Sequence, residues 1–265
     1  EAKPGSYSIA STPKRLAETG EVELIIKRGG RGVPTRWLHN TATVGDAVEL
    51  CAVGSFHYSS VVEDGPGPLL LIAGGLGINP LLSILAHAHE TAAAAEPGPA
   101  ITVLYSASSI EELTHKDQIE AIAASGLPDV KVVFTLTDGS IESTAMTGNT
   151  SDVVDVDTSS DADSSIEGSE GDSGAVEAVQ IRRGRIDKAL IRNAIGGLTR
   201  RHVASQLGTK GGGSTAITAQ SAVADGVVQG MRCYICGPPG MIEGAAALVV
   251  EQGLQDANIH FEKWW

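Results

Sequence analysis

Cys233 and Cys236 are the first residues whose types and spacing suggest chemistry, because C-x-x-C can form a thiol redox couple or half of a zinc site. The surrounding run Met231 to Cys236 reads as a strand. Residues three apart on a strand point to opposite faces and lie ~10 Å apart, too far for a disulfide. There is no second C-x-x-C to complete a metal site. The pair therefore divides into Cys233, a small core residue, and Cys236, at the carboxyl end of a strand where ligands of open α/β sheets bind. A thiol oxidoreductase is disfavoured by the same geometry. The seven histidines give no ligand spacing: His87 and His89 are two apart on a predicted helix and do not share a face. No metal site is expected. Gly-x-Ser-x-Gly is absent, which excludes a hydrolase built on a nucleophile elbow, and no haem or iron–sulfur ligand set is present.

The second candidate is an anion site. Leu69 to Ala73 is a continuous apolar run suited to a strand buried on both faces. Gly74, Gly75 and Gly77 follow and would let a ligand approach the backbone closely. Asn79 is expected as N-cap and Pro80 as first helical residue, with Leu81, Leu82, Ile84 and Leu85 on the apolar face. Strand, glycine turn and helix together offer free amides to a phosphate. The third glycine of G-x-G-x-x-G is replaced by Pro80, a departure from the common dinucleotide fingerprint.

These residues must be positioned by an α/β framework. Further strands are predicted over Ala100–Ser106, Val130–Thr137 and Ile259–Phe261. Helices are predicted over Ile110–Ala124, Arg185–Leu198 and Met241–Gly253. The alternation points to a doubly wound parallel sheet occupying residues 68–265. Two insertions of disorder-like composition are expected at about 139–182 and 201–229. A breaker cluster, Glu63 to Pro68, marks the boundary with an N-terminal β-rich module, residues 1–64. Its predicted strands are Tyr7–Ser11, Glu21–Lys27 and Ala47–Phe56. Between the last two, Gly32 to His39 reads either as a connecting turn or as a short helix beginning near Thr35.

Composition sets the outer limits. The chain of 265 residues is long enough for one large or two modest domains. Its net charge is −13, but nine acidic residues fall between Asp152 and Glu177 with no Lys or Arg among them, so everything else carries only −4. There is no basic patch to suggest nucleic-acid binding. No apolar run approaches the ~20 residues that span a bilayer. Three cysteines point to a reducing, intracellular setting.

Taken in order, the β-module, the segment IAGGLGINPLLSIL, the turn CGPPGM and the ending HFEKWW resemble the ferredoxin-NADP reductase superfamily, and within it most closely the oxidoreductase NAD-binding domain-containing group. The resemblance covers about residues 5–138 and 184–265. It implies a flavin-dependent oxidoreductase that takes hydride from NADH, or NADPH, and passes electrons through FAD to an unidentified acceptor. It also admits a mitochondrial location. By resemblance, Gly74, Gly75, Gly77, Asn79 and Pro80 receive the nicotinamide dinucleotide, and Cys236, Gly237, Pro238, Pro239 and Met241 flank the nicotinamide. Tyr7 and Ser8 match the last two residues of the flavin motif Arg-x-Tyr-Ser, Ser11 is a further cofactor-binding residue, Gly32 and Thr35 match the second phosphate element, and Glu262 and Trp265 close the flavin site. Ser8, Cys236, Glu262 and Trp265 are the residues expected in catalysis.

Two departures accompany the likeness. Gly5 stands where the flavin motif has arginine, which removes a charge-assisted contact. Only three strands of a six-stranded flavin barrel are present, so the module is expected to be N-terminally incomplete; the alternative is a non-catalytic NAD-binding module with a degenerate barrel. Asp138, with no arginine nearby in sequence, favours NAD over NADP.

Overall fold

The computed structural model describes residues 4–29, 32–59, 67–92, 98–138, 178–208 and 230–263. Six parallel strands form one sheet: β1 Leu69–Gly74, β2 Ile101–Ala107, β3 Val130–Leu136, β4 Val179–Arg183, β5 Arg232–Gly237 and β6 Ile259–Lys263. Their order across the sheet is β4-β3-β2-β1-β5-β6. β1 therefore lies at the centre, paired with β2 on one side and β5 on the other. The expected doubly wound α/β fold is present.

Continuous apolar runs form these central strands because both faces of the sheet are covered. Alternate residues feed two cores. Leu69, Leu71, Ala73, Val103, Tyr105, Phe134, Tyr234 and Cys236 pack beneath helices α3 (Ile78–Thr91) and α4 (Lys116–Ser125). Leu70, Ile72, Leu104, Cys233 and Ile235 pack beneath α5 (Lys188–Gly208) and α6 (Pro239–Glu251). Buried positions on α3 include Leu81, Leu82, Ile84 and Leu85, as the periodicity predicted. On α5, Arg201 donates to Ile101 O at 2.9 Å and Thr102 Oγ1 at 2.7 Å, tying the helix to the amino end of β2.

Several boundaries differ from those read in the sequence. The first expected insertion contains β4, which pairs with β3 from Val132↔Val179 to Leu136↔Arg183. The second overlaps the end of α5, which runs on to Gly208. The polar composition of both stretches hid short segments held by tertiary pairing. Residues 139–177 and 209–229, including the acidic run, lie outside the described residues. So do most of the breaker cluster and both terminal tryptophans, Trp264 and Trp265.

The N-terminal module differs most. None of its three expected strands forms among the described residues; the only pairing is an isolated antiparallel bridge, Ile9↔Leu24. A strand is stabilised by its neighbours, and residues 41–59 pair with none in a ladder. Val48, Leu50 and Val53 are 57%, 63% and 86% exposed. Two short helices are present instead, α1 (Pro13–Thr19) and α2 (Val33–Asn40). Thr12 caps α1 through Arg15 N, Pro13 opens it and Gly20 closes it at φ 72°. The helix reading of Gly32–His39 is correct, with Gly32 at the N-cap.

Candidate functional site

The strand order reverses direction between β1 and β5. In open α/β sheets a ligand crevice forms at such a switch point, outside the carboxyl ends of the strands. Two glycine-bearing turns meet there. After β1, Gly75–Gly77 makes one 3-10 turn that runs directly into α3. After β5, Pro238 is the N-cap of α6 and Pro239 begins it.

The turns touch so closely that side chains are excluded. A methyl group on Gly77 would overlap the Cys236 carbonyl and lie 2.7 Å from Gly237 N. One on Gly74 would lie 3.0 Å from Pro238 Cδ and meet Met241 Sδ, and one on Gly237 would lie 3.1 Å from Gly74 Cα. These glycines serve packing between the two turns. Gly75 is different: its φ is +53° and nothing stands within 4 Å of where its Cβ would be. It supplies the left-handed turn and leaves the approach open to a ligand.

Asn79 is not the N-cap. The 3-10 turn starts the coil of backbone earlier, Gly77 occupies the cap position without a side-chain bond, and Pro80 becomes the third helical residue. Pro80 still lacks only one of the N–H groups that a helix start leaves unpaired. Freed from capping, the Asn79 side chain, 2% exposed, donates through Nδ2 to Ile25 O at 2.9 Å. Its Oδ1 is buried without a partner.

Cys233 and Cys236 fall into opposite cores and are both fully buried. Burial pushes the Cys233 thiol well above its ordinary range, so it is no nucleophile at neutral pH. Cys236 lies at the carboxyl end of β5 in register with Ala73 on β1 and Glu262 on β6.

The N-terminal segment reaches this point from the other end of the chain. Ser8, buried, donates through Oγ to Glu262 Oε2 at 2.5 Å, a contact across 254 positions. Tyr7 OH and Thr35 Oγ1 are 2.8 Å apart, which joins the segment to the first turn of α2. Tyr7 also lies over Gly5, where a Cβ would be only 2.7 Å from the ring. Ser11 is committed elsewhere: its Oγ accepts from Glu23 N at 2.9 Å. Thus Ser8 and Glu262 come together at the strand position in register with Cys236, Tyr7 joins Thr35, and Ser11 fastens the module internally.

Sequence reading missed an aromatic cluster under residues 56–59. Phe56 and Tyr58 pack edge-on against Tyr234 at 5.6 and 6.2 Å, and Tyr234 stacks on His260 at 4.7 Å. The Arg232 guanidinium lies 4.8 Å above Tyr58 and donates to Ser59 O at 2.9 Å. Desolvation, reinforced by Arg232 and His57, holds His260 below its ordinary value. Only aromatic enrichment at 56–58 could have signalled this cluster. The sequence also hid arginines near the end of β3: β4 sets Arg182 and Arg183 beside Thr135 and Leu136.

No cluster of metal-ligating side chains occurs among the described residues. Among them no helix is long and apolar enough to cross a membrane.

The residues present fit a nicotinamide dinucleotide: an open glycine at the switch point, the amino end of α3 beside it and an orphaned Asn79 Oδ1. The polar groups that the resemblance assigns to a flavin motif include the Ser8–Glu262 and Tyr7–Thr35 pairs. The parallel sheet with helices on both faces is the doubly wound α/β fold. The crystal structure of Amycolatopsis cytochrome P450 reductase shares it, with a TM-score of 0.57 at 22% identity over 99% of this chain and 58% of that one. In sequence, the chain is similar to oxidoreductase NAD-binding domain-containing proteins. The Danio rerio protein is 28% identical over 265 residues, 98% of this chain and 75% of its own length. The Bos taurus protein is 39% identical over 121 residues, 43% of this chain and 39% of its own length. No family model matches the chain.

Proposed function

We propose that this chain carries the nicotinamide-dinucleotide domain and part of the FAD-binding module of an NAD(P)H-dependent flavoprotein reductase. The observation that carries this reading is the Ser8–Glu262 hydrogen bond at the carboxyl end of β5. It sets a hydroxyl and a carboxylate from the two ends of the chain beside Cys236, at the mouth of a crevice suited to a dinucleotide. The named relatives include methane monooxygenase component C of Methylosinus trichosporium, 34% identical over 121 residues, or 45% of this chain and 32% of that protein. That likeness supports an oxidoreductase.

In this reading the start of α3 and the Gly75 turn hold the dinucleotide phosphates through backbone amides and the helix dipole. Cys236, Gly237, Pro238 and Pro239 bound the space for the nicotinamide ring. Tyr7, Gly32 and Thr35 would hold the flavin, and Ser8 with Glu262 would keep a proton at a defined oxygen beside it. The bound cofactors supply hydride transfer, while the protein supplies orientation. NADH is favoured over NADPH by the acidic residues Glu111, Glu112 and Asp138 after β2 and β3. Arg182 and Arg183 argue the other way, although Arg182 is paired with Asp187 at 2.7 Å. The acceptor is a separate partner not defined by any motif.

A second reading is a non-catalytic NAD-binding module. It is favoured by the lack, among the described residues, of any strand ladder in the N-terminal module beyond the isolated Ile9↔Leu24 bridge. One experiment separates the two. The purified chain is mixed with FAD, its absorption spectrum recorded, and NADH or NADPH added without oxygen. Retained flavin that bleaches supports the reductase, and the faster nucleotide identifies the preference. Nucleotide binding with no retained flavin supports the module.

A further inference from the structure

Helix α3 does more than receive a dinucleotide. Asn79, Ser83 and Glu90 stand four and seven residues apart on it, a spacing that places them on one face. Asn79 and Ser83 are polar residues flanked by buried, apolar positions of the helix, and Glu90 is exposed in its last turn. All three contact the N-terminal module. Asn79 Nδ2 donates to Ile25 O at 2.9 Å, Ser83 Oγ donates to Ser11 O at 2.8 Å, and Glu90 Oε1 accepts from Thr12 Oγ1 at 3.0 Å.

Those contacts have one geometric result. Ser11 and Thr12 are fixed on α3, Ala10 N is paired with Glu23 O at 2.9 Å, and Ser11 Oγ receives Glu23 N at 2.9 Å. The segment entering this clamp is therefore set in register, and Ser8 lies two residues from Ala10, the nearest point of the clamp. β6 fixes Glu262 independently, through its register with Cys236. The hold of α3 on Ser11 and Thr12 thus acts together with the Tyr7–Thr35 contact in setting where Ser8 stands against Glu262. Asn79 is also the second residue of α3, so its backbone belongs to the candidate anion site while its side chain holds the module.

We infer that Asn79 and Ser83 are positioning residues: they set Ser8 against Glu262, and through Asn79 they join the dinucleotide site to the flavin-side segment. This deepens the proposed function and rests on that reading for its kinetic consequence, while the positioning itself is measurable without any cofactor.

The test compares wild type with Ser83→Ala, Ser83→Thr and Asn79→Asp. Asn79→Asp keeps the side-chain shape but faces an acceptor toward Ile25 O; if that variant fails to fold, Ser83→Ala carries the comparison. Hydrogen exchange of the cofactor-free chain is the first arm. Loss of protection at Ala10 and Glu23, with β1 and β5 unchanged, is expected in Ser83→Ala and absent in Ser83→Thr. Unchanged protection at these amides in every folded variant overturns the inference. Single-turnover reduction of added FAD by NADH is the second arm. In Ser83→Ala a displaced Ser8 should slow reduction by ~10- to 100-fold with NADH affinity unchanged. Loosening without a positioning role would instead lower stability or flavin retention and leave the rate of the flavin-bound fraction at the wild-type value, which also overturns it. If wild type itself is not reduced, the reductase reading fails, and the exchange arm still decides whether α3 sets the segment.

Discussion

Gly77→Ala tests the packing of the two turns. The added methyl would overlap the Cys236 carbonyl and approach Gly237 N to 2.7 Å, and both are backbone atoms flanked by strand β5. Neither can rotate away as a flexible side chain would. Relief requires the turn after β1 to separate from the turn after β5, against the β1–β5 ladder that runs from Leu69↔Arg232 to Ala73↔Cys236. Overpacking usually costs about 1–3 kcal/mol, and a clash between two backbones should fall at or above the upper end. A cost of about 3 kcal/mol lowers Tm by roughly 6–12 °C for a chain of this size. Gly75→Ala is the internal control. It meets no neighbour, so its penalty is only the left-handed backbone at φ +53°, about 1–2 kcal/mol. Thermal and urea unfolding followed by far-UV circular dichroism give both values. NADH binding should weaken in both variants, in Gly77→Ala because the start of α3 is displaced. A Gly77→Ala protein as stable as wild type, or less affected than Gly75→Ala, would refute the packing argument.

Three further outcomes are expected. Cys233→Ser places a hydroxyl in a fully buried apolar site and should cost about 1–3 kcal/mol of stability while leaving flavin reduction intact; loss of activity in a folded variant would revive the thiol mechanism. Glu262→Gln removes the carboxylate that accepts from Ser8 and should slow NADH-dependent flavin bleaching by ~10²-fold or more, with the sheet unchanged by circular dichroism. Stability should fall as pH drops through and below the ordinary histidine value of 6.5, because burial holds His260 and His202 below it. With a depressed folded-state pKa the unfolded chain binds more protons in that window, so the folded state loses ground as pH falls. Urea midpoints measured between pH 8 and pH 5 should show this decline, and His260→Phe should make it shallower; an unchanged slope in that variant would remove His260 from the account.

The sequence by itself determined the α/β class, the glycine turn and the separation of Cys233 from Cys236. Each follows from a local rule: apolar runs for strands buried on both faces, glycine where backbones meet, and the two-residue period of a strand. It also carried the candidate partners at both ends of the chain, but only through resemblance to a family. Tertiary structure decided what local rules do not contain. Asn79 is a reasonable cap by composition, yet the preceding 3-10 turn took that position and released its amide to Ile25. Val179–Arg183 looks like part of a polar insertion, and it becomes a strand because the exposed edge of β3 pairs with it. Ala47–Phe56 has the composition of a strand and forms none, because among the described residues no neighbouring ladder receives it. The meeting of Ser8 with Glu262 depends on the whole sheet and on the grip of α3, since hydrogen bonds between residues 254 positions apart are set by packing and carry no trace in local spacing.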